Sequence, residues 1–218
     1  MWYNRIVERD IMDDKTKIIE LAKNNGGYLT REIISENNIT KFNINFLVDK
    51  NIFKKVARTL YVLTNFKDDE FYVITYKNPD VIFSLETVLY IYGLSEKVPS
   101  KFSCTVPYNY SGILSRDENI ELNYVSDEIL NLGVMKIISP SGHEIKIYDL
   151  EKTICDIIKN KNKIDSEVWG KALQKYVKSK NKNLKKLFYY AEKMNVENKV
   201  MDCLDILLWW ILLELLTI

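Results

Sequence analysis

Residues 15–64 read KTKIIELAKNNGGYLTREIISENNITKFNINFLVDKNIFKKVARTLYVLT. Ile18, Ile19, Leu21 and Ala22 recur on a 3.6-residue stripe, which predicts an amphipathic helix. Asn25-Gly26-Gly27 stops it, because glycine enters the left-handed region at little cost. Thr30 caps a second helix through Ile33 and Ile34, with Glu32 placed favourably in its first turn. Thr40 caps a third, which turns Ile44, Leu47 and Val48 inward and ends at Asn51 in place of glycine. Ile52-Phe53 and Leu60-Tyr61-Val62-Leu63 are β-rich runs on either side of the basic stretch Lys54-Lys55-Val56-Ala57-Arg58, as in a hairpin. Three short helices followed by a hairpin is the order of a winged helix-turn-helix, expected over residues 13–66. Such a unit places its third helix in the DNA major groove, and in other settings docks proteins.

Charge favours the first of those uses. The whole chain is nearly neutral, with 31 basic and 30 acidic residues. Its distribution is uneven: residues 15–67 hold ten Lys/Arg against four Asp/Glu, residues 68–158 seven against fifteen, and residues 159–199 twelve against four. Two basic blocks are therefore separated by an acidic one, and clustered basic charge is the footprint of phosphate binding. With Ile44, Leu47 and Val48 in the core, the third helix leaves Lys41, Phe42, Asn43 and Asn45 towards DNA, with Thr40 at its start. Asparagine can bond adenine N6 and N7 together, and an aromatic edge can pack on a thymine methyl. Phe42 and Phe46 lie four apart, and packing against the hairpin or second helix is the expected role of Phe46. Lys50, Lys54, Lys55 and Arg58 are placed for phosphates, Arg58 alternatively for a minor groove, and Arg31 at the start of the second helix for the backbone. In the second basic block Lys171, Lys175, Lys178, Lys182, Lys185 and Lys186 form either another nucleic-acid surface or a solvated helical face.

Composition sets the remaining bounds. A chain of 218 residues that is 47% hydrophobic fits one large domain or two small ones, folded throughout. Cys104, Cys155 and Cys203 are odd in number and widely spaced, which suits a reducing cytoplasm and neither a disulfide framework nor a zinc site. The opening MWYNRIVERDIMDD has no apolar signal core, and with Met12 just ahead of the first helix residues 1–11 read as a dispensable extension. Leu204–Ile218 reads LDILLWWILLELLTI. This run is shorter than the roughly 20 apolar residues of a membrane span and carries Asp205 and Glu214. It is expected to be a buried terminal helix, or to meet a second copy or a partner through Trp209 and Trp210, with no membrane involved.

Residues 67–218 predict an α+β domain. Asp68–Tyr76 is amphipathic, and Phe83–Tyr92 is a helix with Ser84 as its cap and Gly93 at its end. Lys101–Val106, Asn119–Tyr124, Val134–Ile138 and Glu144–Tyr148 have strand character and make a small antiparallel or mixed sheet. Helices follow over Leu150–Lys159, Ser166–Lys178, Leu184–Met194 and from Lys199 onward, with Asp149 and Asp165 as caps ahead of two of them.

Tyr148-Asp149-Leu150-Glu151-Lys152-Thr153-Ile154-Cys155-Asp156-Ile157-Ile158, followed by Lys163-Ile164-Asp165 and Trp169, resembles the C-terminal module of the AbiEi-type antitoxins. These are the transcription-regulating halves of type IV abortive-infection toxin–antitoxin operons. Gly26-Gly27-Tyr28-Leu29-Thr30, Ser84-Leu85-Glu86-Thr87-Val88-Leu89 before Gly93-Leu94, Thr105-Val106-Pro107, and Leu187 with Tyr190-Ala191 and Val200 match in the same order, so the resemblance spans roughly residues 13–208. It implies a phage-defence antitoxin that represses its own operon by binding operator DNA. It also implies a nucleotidyltransferase-like toxin, encoded alongside and countered through the C-terminal module without a stable complex. Three departures stand out. Arg58-Thr59-Leu60-Tyr61 lacks the family's glycine in the wing, Leu85 stands where histidine is common, and Leu208–Ile218 has no counterpart.

An enzyme is the competing class, and a metal-dependent nuclease its best form. Glu144-Ile145-Lys146 alternates on a strand with Asp127 or Glu128 upstream, but such a triplet is common in a lysine-rich chain and reads first as an exposed strand face. Asp149, Thr153 and Asp156 share a helical face and read as a cap plus polar surface. The single His143, beside Gly142 in a turn, excludes multi-histidine metal sites and has no evident nucleophile partner. No Gly-rich phosphate loop is present. No catalytic residue, metal or cofactor is expected.

Overall fold

A computed structural model describes residues 14–216, with side chains described through Asp205 and at Leu207. The leading extension read from the sequence and the side chains of Trp209 and Trp210 lie outside the described residues. The chain is α+β. It forms two compact units, the first running up to Lys77 and including Ile138–Ile145, the second made of Asn78–Ile137 and the chain from Lys146 onward.

The first unit contains α1 (residues 14–24), β1 (Tyr28–Leu29), α2 (Arg31–Glu36), α3 (Lys41–Asp49), β2 (Phe53–Ala57), β3 (Leu60–Leu63) and α4 (Glu70–Lys77). Gly27 closes α1 by donating its N–H to the Ala22 carbonyl at 2.8 Å. The strands form an antiparallel sheet in the order β1-β3-β2, with Tyr28 opposite Val62, Phe53 opposite Leu63, and a bulge between Lys55 and Ala57. Alternation along β3 sends its side chains to two sides. Leu63 joins Ile18, Ala22, Leu29, Ile44, Leu47 and Phe53 in a core beneath the helices. Leu60 and Val62 join Tyr28 on the other side, where Tyr72, Val73 and Tyr76 of α4 pack on them. That packing corrects the boundary expected at residue 66, because without α4 the second side of the sheet would lie bare.

The second unit carries β4 (Ile82–Phe83), α5 (Leu85–Ile91), β5 (Phe102–Pro107), β6 (Ile120–Val125), α6 (Asp127–Leu130), β7 (Val134–Ile138) except its last residue, β8 (Glu144–Tyr148) except its first two, α7 (Leu150–Lys159), α8 (Ser166–Lys178), α9 (Leu184–Lys193) and α10 (Glu197–Leu216). Its sheet runs β6-β5-β4-β8-β7 and is mixed: β4 pairs antiparallel with β5 and parallel with β8, and β5 pairs parallel with β6. Ile154, Ile157, Leu173, Leu187, Ala191 and Val200 bring α7 to α10 into one core. Among the described residues no helix is long and apolar enough to cross a membrane.

Local capping rules hold at most helix starts. Thr30, Thr40, Asp149 and Asp165 each accept a backbone N–H of the first turn, as does Asn183 ahead of α9, which the sequence reading passed over. Ser84 departs from its expected role. It makes no side-chain cap bond, accepts instead from the Thr105 hydroxyl at 2.9 Å, and is followed by Leu85 at a left-handed φ of 47°. Gly170, inside α8, would meet nothing within 4 Å on gaining a Cβ. Gly170→Ala is therefore expected to stabilise the chain by about 0.5–1 kcal/mol through helix propensity alone. Thermal unfolding followed by circular dichroism checks this as a melting temperature about 1–4 °C higher.

Candidate nucleic-acid interface

The start of α3 is set by Thr40, whose Oγ1 accepts the Asn43 N–H at 3.2 Å. With Ile44 and Leu47 buried, that register leaves Lys41, Phe42 and Asn45 exposed. Phe42 is 67% exposed, a large apolar side chain with most of its surface open. Phe46 packs against the core beneath, with the Lys50 ammonium 5.7 Å from its ring centre. Asn43 differs from expectation: its Nδ2 donates to Asp14 Oδ2 at 3.0 Å, so α1 engages it. Asn51 ends the helix at a left-handed φ of 54°, as its sequence position predicts, and leaves Lys50 exposed beside it.

On the hairpin, Lys54, Lys55 and Arg58 are all exposed, but Lys54 is ion-paired with Asp68. The turn after β2 is Arg58-Thr59, and Thr59 takes a φ of 59°. A β-branched residue rarely adopts this left-handed conformation, which glycine enters freely. Threonine at this position therefore adds strain to the turn. Arg31, exposed at the first position of α2, completes the predicted set in this unit.

A second cluster in the same unit was not legible in the sequence. The Ser141 hydroxyl donates to Asp69 Oδ2 at 2.6 Å, and the Ser141 N–H donates to the same oxygen at 2.9 Å. His143 Nδ1 lies 2.9 Å from Ser141 Oγ, its Nε2 lies 3.3 Å from Asn25 Oδ1, and its ring stacks on Tyr72 at 3.5 Å between centroids. Burial works against the Asp69 charge, but hydrogen bonds from Ser141, Ser139 and Tyr72 outweigh it and hold the carboxyl below its ordinary value. Burial pulls the His143 pKa down, against the charge of Asp69. These residue types suggest hydrolytic chemistry, but their order does not. A nucleophilic serine gives its proton to an imidazole whose far nitrogen is held by the carboxylate. Here the hydroxyl stands between carboxylate and imidazole and donates to the carboxylate. The cluster is a clasp that ties Ile138–Ile145 to the start of α4 and the turn after α1.

The Asp149, Thr153 and Asp156 face is corrected by the structure from polar surface to interior. Asp149, Glu151, Lys152, Thr153 and Asp156 are all buried. Lys152 Nζ donates to both oxygens of Asp156 at 2.8 Å and lies 4.1 Å from the Tyr148 ring centre. Asp149 Oδ1 caps α7 through the Lys152 N–H at 2.9 Å, and its Oδ2 accepts from Tyr190 Oη at 2.8 Å. Glu151 accepts from the Asn183 N–H at 2.9 Å.

Five of the six lysines of the second basic block have partners within the chain. Lys171 pairs with Glu167 at 2.5 Å, Lys175 with Glu96 at 3.2 Å and Lys186 with Asp149 at 2.9 Å, while Lys182 Nζ donates to the Ser179 carbonyl at 3.0 Å. Lys178 also has a partner, and Lys185 is exposed. Lys146 of the Glu144-Ile145-Lys146 triplet pairs with Asp80 at 3.3 Å. Among the described residues no three His, Cys, Asp or Glu side chains come together as a metal would need. Compared with known proteins, the chain matches no family model and no curated protein.

Proposed function

We propose that the first unit is a winged helix-turn-helix, with α3 as its reading helix and the β2–β3 hairpin as its wing, and that the chain is an antitoxin that represses its own operon. The observation that carries the reading is the bare face at the start of α3, where Lys41, Phe42 and Asn45 stand exposed together. An aromatic ring 67% exposed amid basic residues gains little from water and has a natural partner in a thymine methyl. Asn45 supplies the amide for an adjacent adenine. Arg31, Lys50, Lys55 and Arg58 take phosphates, which set affinity and salt dependence rather than sequence choice. Asn43, engaged by Asp14, supports the helix more than it reads bases. The lysines of α8 and α9 are an auxiliary surface, because carboxylate partners cancel much of their charge.

The antitoxin assignment rests on the sequence resemblance over residues 13–208. In this reading the second unit counters a nucleotidyltransferase-like toxin without a stable complex, the chain works in the cytoplasm, and it has no catalytic activity of its own. A mobility-shift titration with the duplex upstream of the chain's own reading frame tests the DNA assignment. Lys41→Ala with Asn45→Ala is expected to weaken specific retention by about tenfold or more, since a good base contact is worth about 1–3 kcal/mol. Lys55→Ala is expected to keep the sequence preference and flatten the salt dependence by about one ion. No retention of that duplex by the parent chain at low salt overturns the reading in favour of a protein-docking module.

A further inference from the structure

We infer that the Tyr76 hydroxyl is a positioning group for the proposed DNA interface, a strut that sets the separation of Arg31 from Arg58. The inference rests on the reading of the first unit as the DNA-binding one. The first N–H groups of a helix have no partner inside it. In α2 the Thr30 hydroxyl takes that of Ile33 at 3.4 Å, and the N–H of Arg31 donates to Tyr76 Oη at 3.2 Å. The same phenol donates its own proton to the Thr59 carbonyl at 3.2 Å, with Thr59 Oγ1 3.4 Å away. A phenol has one proton to give and lone pairs to receive with, so both bonds form at once. The backbone beneath Arg31 and the backbone following Arg58 thus stand one hydrogen bond each from a single oxygen.

The strained turn is part of the device. Thr59 at a φ of 59° is a conformation that persists only where surroundings hold it. Tyr76 holds its carbonyl, and its own hydroxyl donates to the Arg58 carbonyl at 2.6 Å. A glycine in this place would let the turn swing; threonine with a tyrosine strut fixes it. The ring of Tyr76 is itself seated edge-on against Tyr72 at 6.2 Å. Both arginine side chains are exposed, so the backbone is what fixes their separation. A preset separation lets the two guanidinium groups meet successive phosphates with less ordering on binding.

Tyr76→Phe removes both hydrogen bonds and keeps the ring. The test is a double-mutant cycle of Tyr76→Phe with Arg58→Ala in the full chain, read as affinity for the upstream duplex at several salt concentrations. Arg58→Ala is expected to cost about tenfold in the parent and under about threefold in the Tyr76→Phe background, a coupling within the usual range for cooperating residues. Amide hydrogen exchange reads the strut without DNA, and faster exchange at Arg31 is expected with the fold retained and the core amides still protected. Additive losses with binding retained overturn the strut and leave the DNA reading standing. Unchanged protection at Arg31 also overturns it. Absence of duplex binding by the parent overturns the DNA reading, and the pairing of the arginines with it.

Discussion

Lys152→Met is expected to destabilise the second unit by about 3–5 kcal/mol, the usual cost of removing one partner from a buried ion pair. Lys152 and Asp156 are 1% and 3% exposed at their side chains, and both carboxylate oxygens depend on the one ammonium. Methionine keeps most of the volume, so the loss measures a stranded carboxylate rather than a cavity. Against a typical stability of about 5–15 kcal/mol this is a large fraction. Urea unfolding read by circular dichroism checks it, and adding Asp156→Leu is expected to recover most of the loss because no charge is then left unpaired. Its pH dependence has a definite sign. Burial pushes the Asp156 carboxyl above the usual carboxylate range while Lys152 pulls against it. Without Lys152 the carboxyl rises further, so the folded variant binds a proton that the unfolded chain releases. Its stability then increases as pH falls through the folded pKa, and the deficit against the parent narrows in mild acid. A deficit independent of pH would mean that packing, not charge, carries the effect.

Gly26→Ala is expected to cost about 2–4 kcal/mol in the first unit, from a left-handed side chain and a forced backbone shift together. Gly26 has a φ of 61°, and a Cβ there would stand 2.1 Å from the Ser141 carbonyl oxygen and 2.9 Å from His143 Cε1. Backbone atoms cannot step aside as a flexible side chain would. The clasp should therefore open, and the Ser141 amide, bonded to Asp69 at 2.9 Å, should lose protection from hydrogen exchange. Gly142→Ala separates the two causes, because Gly142 has a φ of 88° but nothing within 4 Å of an added Cβ. It is expected to cost only about 1–2 kcal/mol and to leave Ser141 protected. Equal costs at both positions would remove the close approach from the explanation.

What the sequence made legible was local. Thr30, Thr40, Asn51, Asp149 and Asp165 act where capping and turn rules place them, because the groups they serve lie within a few residues. Ser84 escaped that logic because Thr105, on a neighbouring strand, offers it a different bond. The spacing over Asp68–Tyr76 marked an amphipathic segment but neither the helix it forms nor the sheet it covers, since Tyr72 and Tyr76 have the same period whichever sheet they meet. In α7, charged residues normally mark an outer surface, and nothing in their spacing says that Lys152 and Asp156 satisfy one another inside. The bare residues of α3 followed from its buried ones, whereas the bond from Asn43 to Asp14 depends on how two helices cross. His143 lay furthest out of reach, because its partner Asn25 stands 118 residues earlier and no periodicity records such a distance.

That distance bears on how the protein comes into being. The first unit is sequence-discontinuous, and the chain leaves it after Lys77 and returns for Ile138–Ile145. A ribosome releases chain in order, at about 5–20 residues per second, and domains tend to fold as they emerge. Asp69 and Tyr72 are therefore synthesised well before Ser141 and His143 exist to meet them. Until then Asp69 lacks two of its hydrogen-bond donors and Tyr72 its stacking partner. A nascent chain that stalls anywhere before residue 141 carries the proposed reading helix without its clasp. Completion of the first unit is thereby made to wait on translation of most of the sheet in the second.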